Sequence, residues 1–184
     1  GRKIDPPLLR AMDPSADVDA WLTACVDAGV LDADDSGTSE GRWRFAHDKL
    51  RAGILETITI AERKQWHHTI ARLIEQAHPN DPEQAAALVH HWHEAENAGK
   101  ERHYARIAGA HAQQQFLNEA ALNFFDRALA LTDPDNLLDQ LELQLAREQI
   151  YHLLGRRDEQ QAALAVLSDI AAQLAAQKNL ERRA

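Results

Sequence analysis

From residue 47 to the end of the chain, apolar side chains recur every three or four residues, and this period restricts the fold more than any other feature. A helical apolar stripe must be buried against another element, so a succession of stripes separated by short breaks predicts packed helix hairpins. Leu50, Ile54 and Ile58 mark one stripe, and Trp66, Ile70, Leu73 and Ala77 mark the next. Pro79-Asn80-Asp81-Pro82 interrupts the chain there. Pro82 suits the first turn of a further helix, with Ala85, Leu88, Trp92 and Ala95 on one side and Ala98-Gly99 as its closing signal. More helices are expected over about 101–114, about 118–131 and 136–154, the last through Leu138, Leu141, Leu145 and Ile150. Gly155 then turns the chain into a final helix striped by Leu164, Leu167, Ala171 and Leu174.

The first sixty residues have a different texture. Pro6 and Pro7 fit the first turn of a short helix ending at Met12, and Asp13-Pro14-Ser15 stops it. Ser15 or Asp17 is placed to cap a second helix whose apolar face is Val18, Trp21, Leu22, Cys25 and Val26, ended by Gly29. Val30-Leu31 begins an extended piece, and the acidic run from Asp32 to Gly41 reads as a loop. Trp43 and Phe45 alternate with Arg42, Arg44 and Ala46, the pattern of a half-exposed strand. Helix, helix, strand, loop, strand is the order of a winged helix. The expected chain is therefore mainly α: an N-terminally truncated winged-helix-like domain over 1–58, then a helical repeat domain over 59–184.

The helices at about 101–114 and 118–131 begin about seventeen residues apart, half the period of about 34 of a tetratricopeptide repeat. Ala121, Phe125 and Ala128 stand at i, i+4 and i+7, the small, aromatic, small pattern of that repeat's second helix, and Asp133-Pro134 falls where the repeat ends. An α-α superhelical, tetratricopeptide-like array is expected. The competing reading is an irregular helical bundle, because the same triplet suits any close helix pair.

Composition narrows the function classes. Of 184 residues, 45% are hydrophobic and 27% charged, as in folded globular chains. A net charge of −9 argues against duplex binding, which draws its affinity from clustered Lys and Arg. No basic amphipathic stretch suggests a membrane surface, and no apolar run nears the roughly 18 residues of a span. One cysteine, Cys25, permits no internal disulfide. These features predict a cytoplasmic location, and the opening Gly-Arg-Lys-Ile suggests a piece of a longer protein.

Catalytic and metal chemistry find little support. His90, His93 and Glu94 share a helix region, yet the His-Glu-x-x-His spacing is missing and solvated histidines are expected. His67 and His68 are adjacent and splay apart. Cys25 lies on an apolar face, where thiols are usually inert. Trp21, Trp66 and Trp92 sit on apolar stripes and are expected in the core, with Trp43 partly exposed. No Gly-x-x-x-x-Gly-Lys-Ser/Thr loop occurs, so no catalytic residue, metal site or ATP hydrolysis is expected.

Four segments together resemble a known family: Asp19 to Leu31, Arg44 to Arg51, Glu62-Arg63 with His67 and His68, and His90-His91-Trp92. They resemble the region behind the ATPase core of STAND-class regulators, large bacterial ATPases with tetratricopeptide-like sensor arms. The sharpest element is Phe45-Ala46-His47-Asp48. The resemblance implies a cofactor-facing role for His47, contacting the phosphates of bound ATP or ADP in the intact protein only. Asp48 would cap the helix it begins. It further implies a non-enzymatic arm that couples binding of a protein partner or ligand, or of its own ATPase domain, to signalling or transcription. Neither membrane nor nucleic acid is an expected partner. The alternative is a DNA-binding winged helix with a helical dimerisation region.

Overall fold

The computed structural model describes residues 4–34 and 42–181. It is mainly α, with a small winged-helix-like start followed by an array of helix hairpins. Contacts divide it into two units, residues 1–79 and 80–184. The boundary expected from sequence fell at 58. The contacts instead divide the chain after Pro79, because the helix over Ile60–Ala77 packs on the first helix of the chain.

The first unit runs α1 (Pro6–Met12), α2 (Val18–Asp27), β1 (Leu31–Asp34), β2 (Arg42–Phe45), α3 (Asp48–Thr57) and α4 (Ile60–Ala77). Local signals set these elements. Asp5 caps α1 by accepting from the Leu8 amide, and Asp17, not Ser15, caps α2 through the Ala20 amide. Ser15 instead donates its hydroxyl to Asp13 at 2.6 Å. The strands pair antiparallel with Leu31 opposite Phe45 and Asp34 opposite Arg42. Pairing thus draws Asp32 to Asp34 of the acidic run into the strand, and the rest of that run, residues 35–41, lies outside the described residues. Arg44 faces Asp32 across the hairpin at 3.6 Å.

Val18, Leu22 and Leu31 form the buried centre of this unit, with Ile4, Leu9, Cys25, Val26, Val30, Trp43 and Phe45 packed around it. Here Trp43 is partly exposed as expected, whereas Trp21 and Trp66 are not in the core. Trp21 is 52% exposed, because Val18 and Leu22 hold the middle of the α2 stripe and leave the indole on its flank. The aromatic contribution comes from the hairpin, through Trp43 and Phe45. Trp66 is also half-exposed, since α4 buries only Ala71 fully, with Ile70, Leu73 and Ile74 half-buried. A reciprocal capping box starts α4: the Thr59 amide and hydroxyl both donate to Glu62, and the Glu62 amide donates back to the Thr59 hydroxyl.

The second unit opens with a 3-10 turn at Pro82–Gln84 and continues as α5 (Ala85–Glu94), α6 (Ala98–Gln114), α7 (Asn118–Ala130), α8 (Leu137–Leu154) and α9 (Arg157–Glu181). Trp92 is buried here as expected, beside the buried Ala85 and Leu88 of its own helix. Ala121, Phe125 and Ala128 are all buried, in a core shared with Ala105, Ala112, Leu122, Leu143, Ile150, Tyr151 and Ala163. Two stripes differ from expectation. In α8, Leu138 and Leu145 are 63% and 43% exposed, while Leu137, Leu143, Ile150 and Tyr151 are buried. In α9 the buried positions are Ala163, Leu167 and Ile170, and Leu164 faces solvent.

The turns explain another shift. Among the described residues, four helices end in one hydrogen-bonding scheme, in which a left-handed residue at or just after the cap donates back three residues, and the next amide donates back five. At Gly29 and Gly155 the left-handed residue is glycine, with φ of +69° and +68°. At Glu96 and Phe116 it is not, with φ of +54° and +59°, a conformation that costs a side chain about 1 kcal/mol. Because α5 is closed by Glu96, and Asn97 caps the next helix through the Lys100 amide, Ala98-Gly99 opens α6 rather than closing α5.

Candidate interaction site

The array carries its chemistry at its helix interfaces. Glu101 lies four residues before Ala105, continuing the buried stripe Ala105, Ala108, Ala112 back to the start of α6. It is 3% exposed, and a buried carboxylate is tolerated only when paired. Arg127 on α7 supplies the pairing, donating Nε to Oε1 at 2.5 Å and Nη2 to Oε2 at 3.1 Å. This bidentate contact pushes the Arg127 guanidinium above its ordinary value, so it stays charged throughout the usable pH range. His93 on α5 joins them, its Nδ1 lying 3.0 Å from Arg127 Nη2 and 3.2 Å from Glu101 Oε1. Three consecutive helices are therefore tied at one point.

The same pattern continues along the array. Arg106 on α6 reaches Asp139 at 2.7 Å and Glu142 at 2.5 Å on α8, with Arg102 3.4 Å from Asp139. Asn136 fixes Asp139 in turn, donating its side-chain amide at 2.9 Å. Arg147 on α8 stands 2.6 Å from Asp126 on α7, close enough to pair although not aligned as a hydrogen bond, and also donates to the Tyr151 hydroxyl at 3.0 Å. Arg156, just after α8, pairs with Glu119 in the first turn of α7. Five arginines of the array are thus engaged by its own carboxylates.

Between α6, α8 and the start of α9 lies a cleft of about 480 Å³ lined by Gln113, Glu148, Gln149, His152, Leu153 and Gln160. Gln160 donates its amide to Glu148 at 2.6 Å and stands 3.2 Å from His152 Nδ1. The cleft opens beside an exposed apolar edge of α8, where Leu145 and Leu153 are 43% and 67% exposed. Amides, one carboxylate and exposed leucines form a surface suited to recognising a chain segment rather than to bond-breaking.

His47 lies apart from this, in the first unit. It is the exposed N-cap residue of α3, in extended conformation with φ −134° and ψ 133°, and its side chain makes no capping hydrogen bond. Asp48 follows as the first helical residue, so it lies one position past the cap expected of it. The Ala46 amide donates to Val30 just before this junction, fixing where the strand stops. Cys25 is half-buried against the first unit's core. Among the described residues, no three His, Cys, Asp or Glu side chains converge as a metal-binding group. His93 turns toward Glu101 and Arg127, while the His90 and His91 rings stand 5.3 Å apart and tilted.

Glu101 and Arg127 were not singled out from sequence, although a signal existed: Glu101 falls in register with three buried alanines. No helix among the described residues is long and apolar enough to cross a membrane. Comparison with protein-family models, with curated proteins and with solved structures finds no match to this chain.

Proposed function

We propose that this chain is a non-enzymatic interaction arm, in which the hairpin array of α5 to α9 receives a protein segment and the first unit joins the arm to the rest of an ATP-dependent signalling regulator of the STAND class. The observation that carries the binding half is the α8 edge beside the α6–α9 cleft, where leucines stay in solvent although neighbouring helices are tightly tied. Large apolar side chains held on a fixed scaffold are what a partner's anchors need. The engaged arginines add direction. With Arg102, Arg106, Arg127, Arg147 and Arg156 occupied inside the array, this surface offers Glu148 rather than a cation. A segment with apolar anchors and a basic flank fits it best.

The regulator half rests on the resemblance around Phe45-Ala46-His47-Asp48 and on the exposed position of His47 at the strand-to-helix junction. An imidazole there is placed to donate to a phosphate brought from another domain. The tetratricopeptide-like character is supported by Gly109 on α6 facing Phe125 on α7, since that repeat places a glycine in its first helix and Ala-x-x-x-Phe in its second. Two measurements test the reading. The coding sequence upstream of residue 1 should contain a Gly-x-x-x-x-Gly-Lys-Ser/Thr loop; a continuous frame without one removes the ATPase parentage. A salt-sensitive shift of labelled duplex DNA by the purified chain would overturn the arm in favour of a DNA-binding regulator.

A further inference from the structure

The turn between α6 and α7 presents an anomaly that the interaction arm does not use. Phe116 is 84% exposed and left-handed at φ +59°, at a turn position that α2 and α8 fill with glycine. The ring buries almost nothing within this chain, and its backbone would relax on replacement by glycine. Leu117, beside it, is 54% exposed. Leu117 also lines a cleft of about 330 Å³ floored by Ala108, Ala112, Ala120 and Phe124, with Ala86 at its exposed rim and the His111–Gln115 pair along one side. A dry apolar cavity of about 150 Å³ is enough to hold benzene, so this hollow has room for an aromatic ring. A protruding ring and an apolar hollow therefore lie side by side on one surface.

We propose that this surface is a self-association site, in which Phe116 of each copy enters the alanine-floored cleft of the other. A two-fold pairing requires one patch to carry both halves of a complementary contact, as this one does. That self-complementarity selects a second copy as the occupant, and the local charge permits it. The chain carries −9 overall, so most of its surface repels itself. Residues 113–118, Gln-Gln-Gln-Phe-Leu-Asn, carry no charge, and Glu83 is the one carboxylate lining the cleft. Two copies thus meet here without opposed acidic clusters, and the Gln and Asn amides flanking the ring are donors for Glu83 of the second copy.

The test is sedimentation equilibrium of the whole chain over a wide concentration range, with two variants checked for folding by circular dichroism. Phe116→Gly removes the ring and relieves the turn, so it folds. Ala86→Trp fills the hollow from an exposed position and leaves Phe116 in place. The wild type should show a monomer–dimer equilibrium, and each variant should weaken it by about tenfold or more. Mixing the two variants should restore association above that of either alone, since one ring and one hollow then remain compatible. A wild type that stays monomeric at every concentration overturns the proposal and leaves the surface to a different protein. So does a Phe116→Gly chain that dimerises like the wild type, or a mixture that gains nothing.

Discussion

The ring of Phe125 occupies the space in which a side chain at residue 109 would begin: a Cβ built on Gly109 would lie 2.6 Å from Phe125 Cε1 and 2.7 Å from Cδ1. Hydrogen is the only substituent that fits, so α6 and α7 approach through a contact made by one residue's lack of a side chain. Gly109→Ala should destabilise the array by about 1–3 kcal/mol through overpacking, despite alanine's better helix propensity. Urea unfolding checks this. An unchanged or raised midpoint would mean that the Phe125 ring moves aside at little cost. Gly53, which has nothing within 4 Å of a built Cβ, is the control: Gly53→Ala should stabilise α3 by up to about 1 kcal/mol.

Glu101 and Arg127 invite a double-mutant cycle. Arg127→Leu leaves a carboxylate at 3% exposure without its bidentate donor and should cost about 2–3 kcal/mol, less than the usual range of about 3–5 because the Arg127 side chain is itself 41% exposed. Replacing both residues by leucine should cost less than Arg127→Leu alone, since no buried charge remains. If the double variant proves the less stable of the two, the pair contributes net stability and not merely mutual compensation.

Glu62 supplies a pH dependence. The Thr59 hydroxyl, and then the Thr59 amide, hold its carboxyl below the ordinary value of 4.5. A carboxyl depressed in the folded state contributes stability that is complete above 4.5 and lost as pH falls through its folded value. The start of α4 should therefore loosen in acid below 4.5. Protection against amide hydrogen exchange at Glu62 and Arg63, taken relative to the intrinsic rate at each pH, should fall there, and Thr59→Ala should remove that acid-specific step. An equal loss of protection in both chains would show that the capping box does not control this helix end.

How much of this was legible varies with the physics of each signal. Proline and capping residues act locally, so α1 and α2 could be placed from a few residues each. Ala121, Phe125 and Ala128 could be read as buried because α7 has one clear apolar face. Gly109 was hidden, since a lone glycine within a helix signals weakness unless the residue opposite is known. Glu101 was hidden because carboxylates ordinarily face water, and only its register with Ala105 and Ala108 betrays it. Trp21 and Trp66 misled because side-chain size suggests burial, whereas the first unit's small core closes around Leu22 and Leu31 without them. His47 was placed at a strand-to-helix junction and stands there, but no phosphate-binding partner for it lies in the sequence.

α8 gives the sharpest test of the corrected faces. Leucines at 137, 138, 141, 143 and 145 surround the helix, so its apolar period supports two faces, and packing rather than pattern decides between them. Leu143 is 2% exposed, while Leu145, two residues later and therefore on another side of the helix, is 43% exposed. Leu143→Ala should cost about 2–5 kcal/mol, the loss of buried methylenes plus the cavity left behind. Leu145→Ala should stay within about 1 kcal/mol, because water already reaches that side chain. The two effects separate the roles as well: Leu145→Ala, together with Leu153→Ala, should weaken capture of a basic amphipathic probe peptide while leaving the melting curve nearly unchanged. Equal destabilisation by the position 143 and 145 variants would return the buried stripe to the face that periodicity first suggested, and with it remove the exposed edge on which partner binding depends.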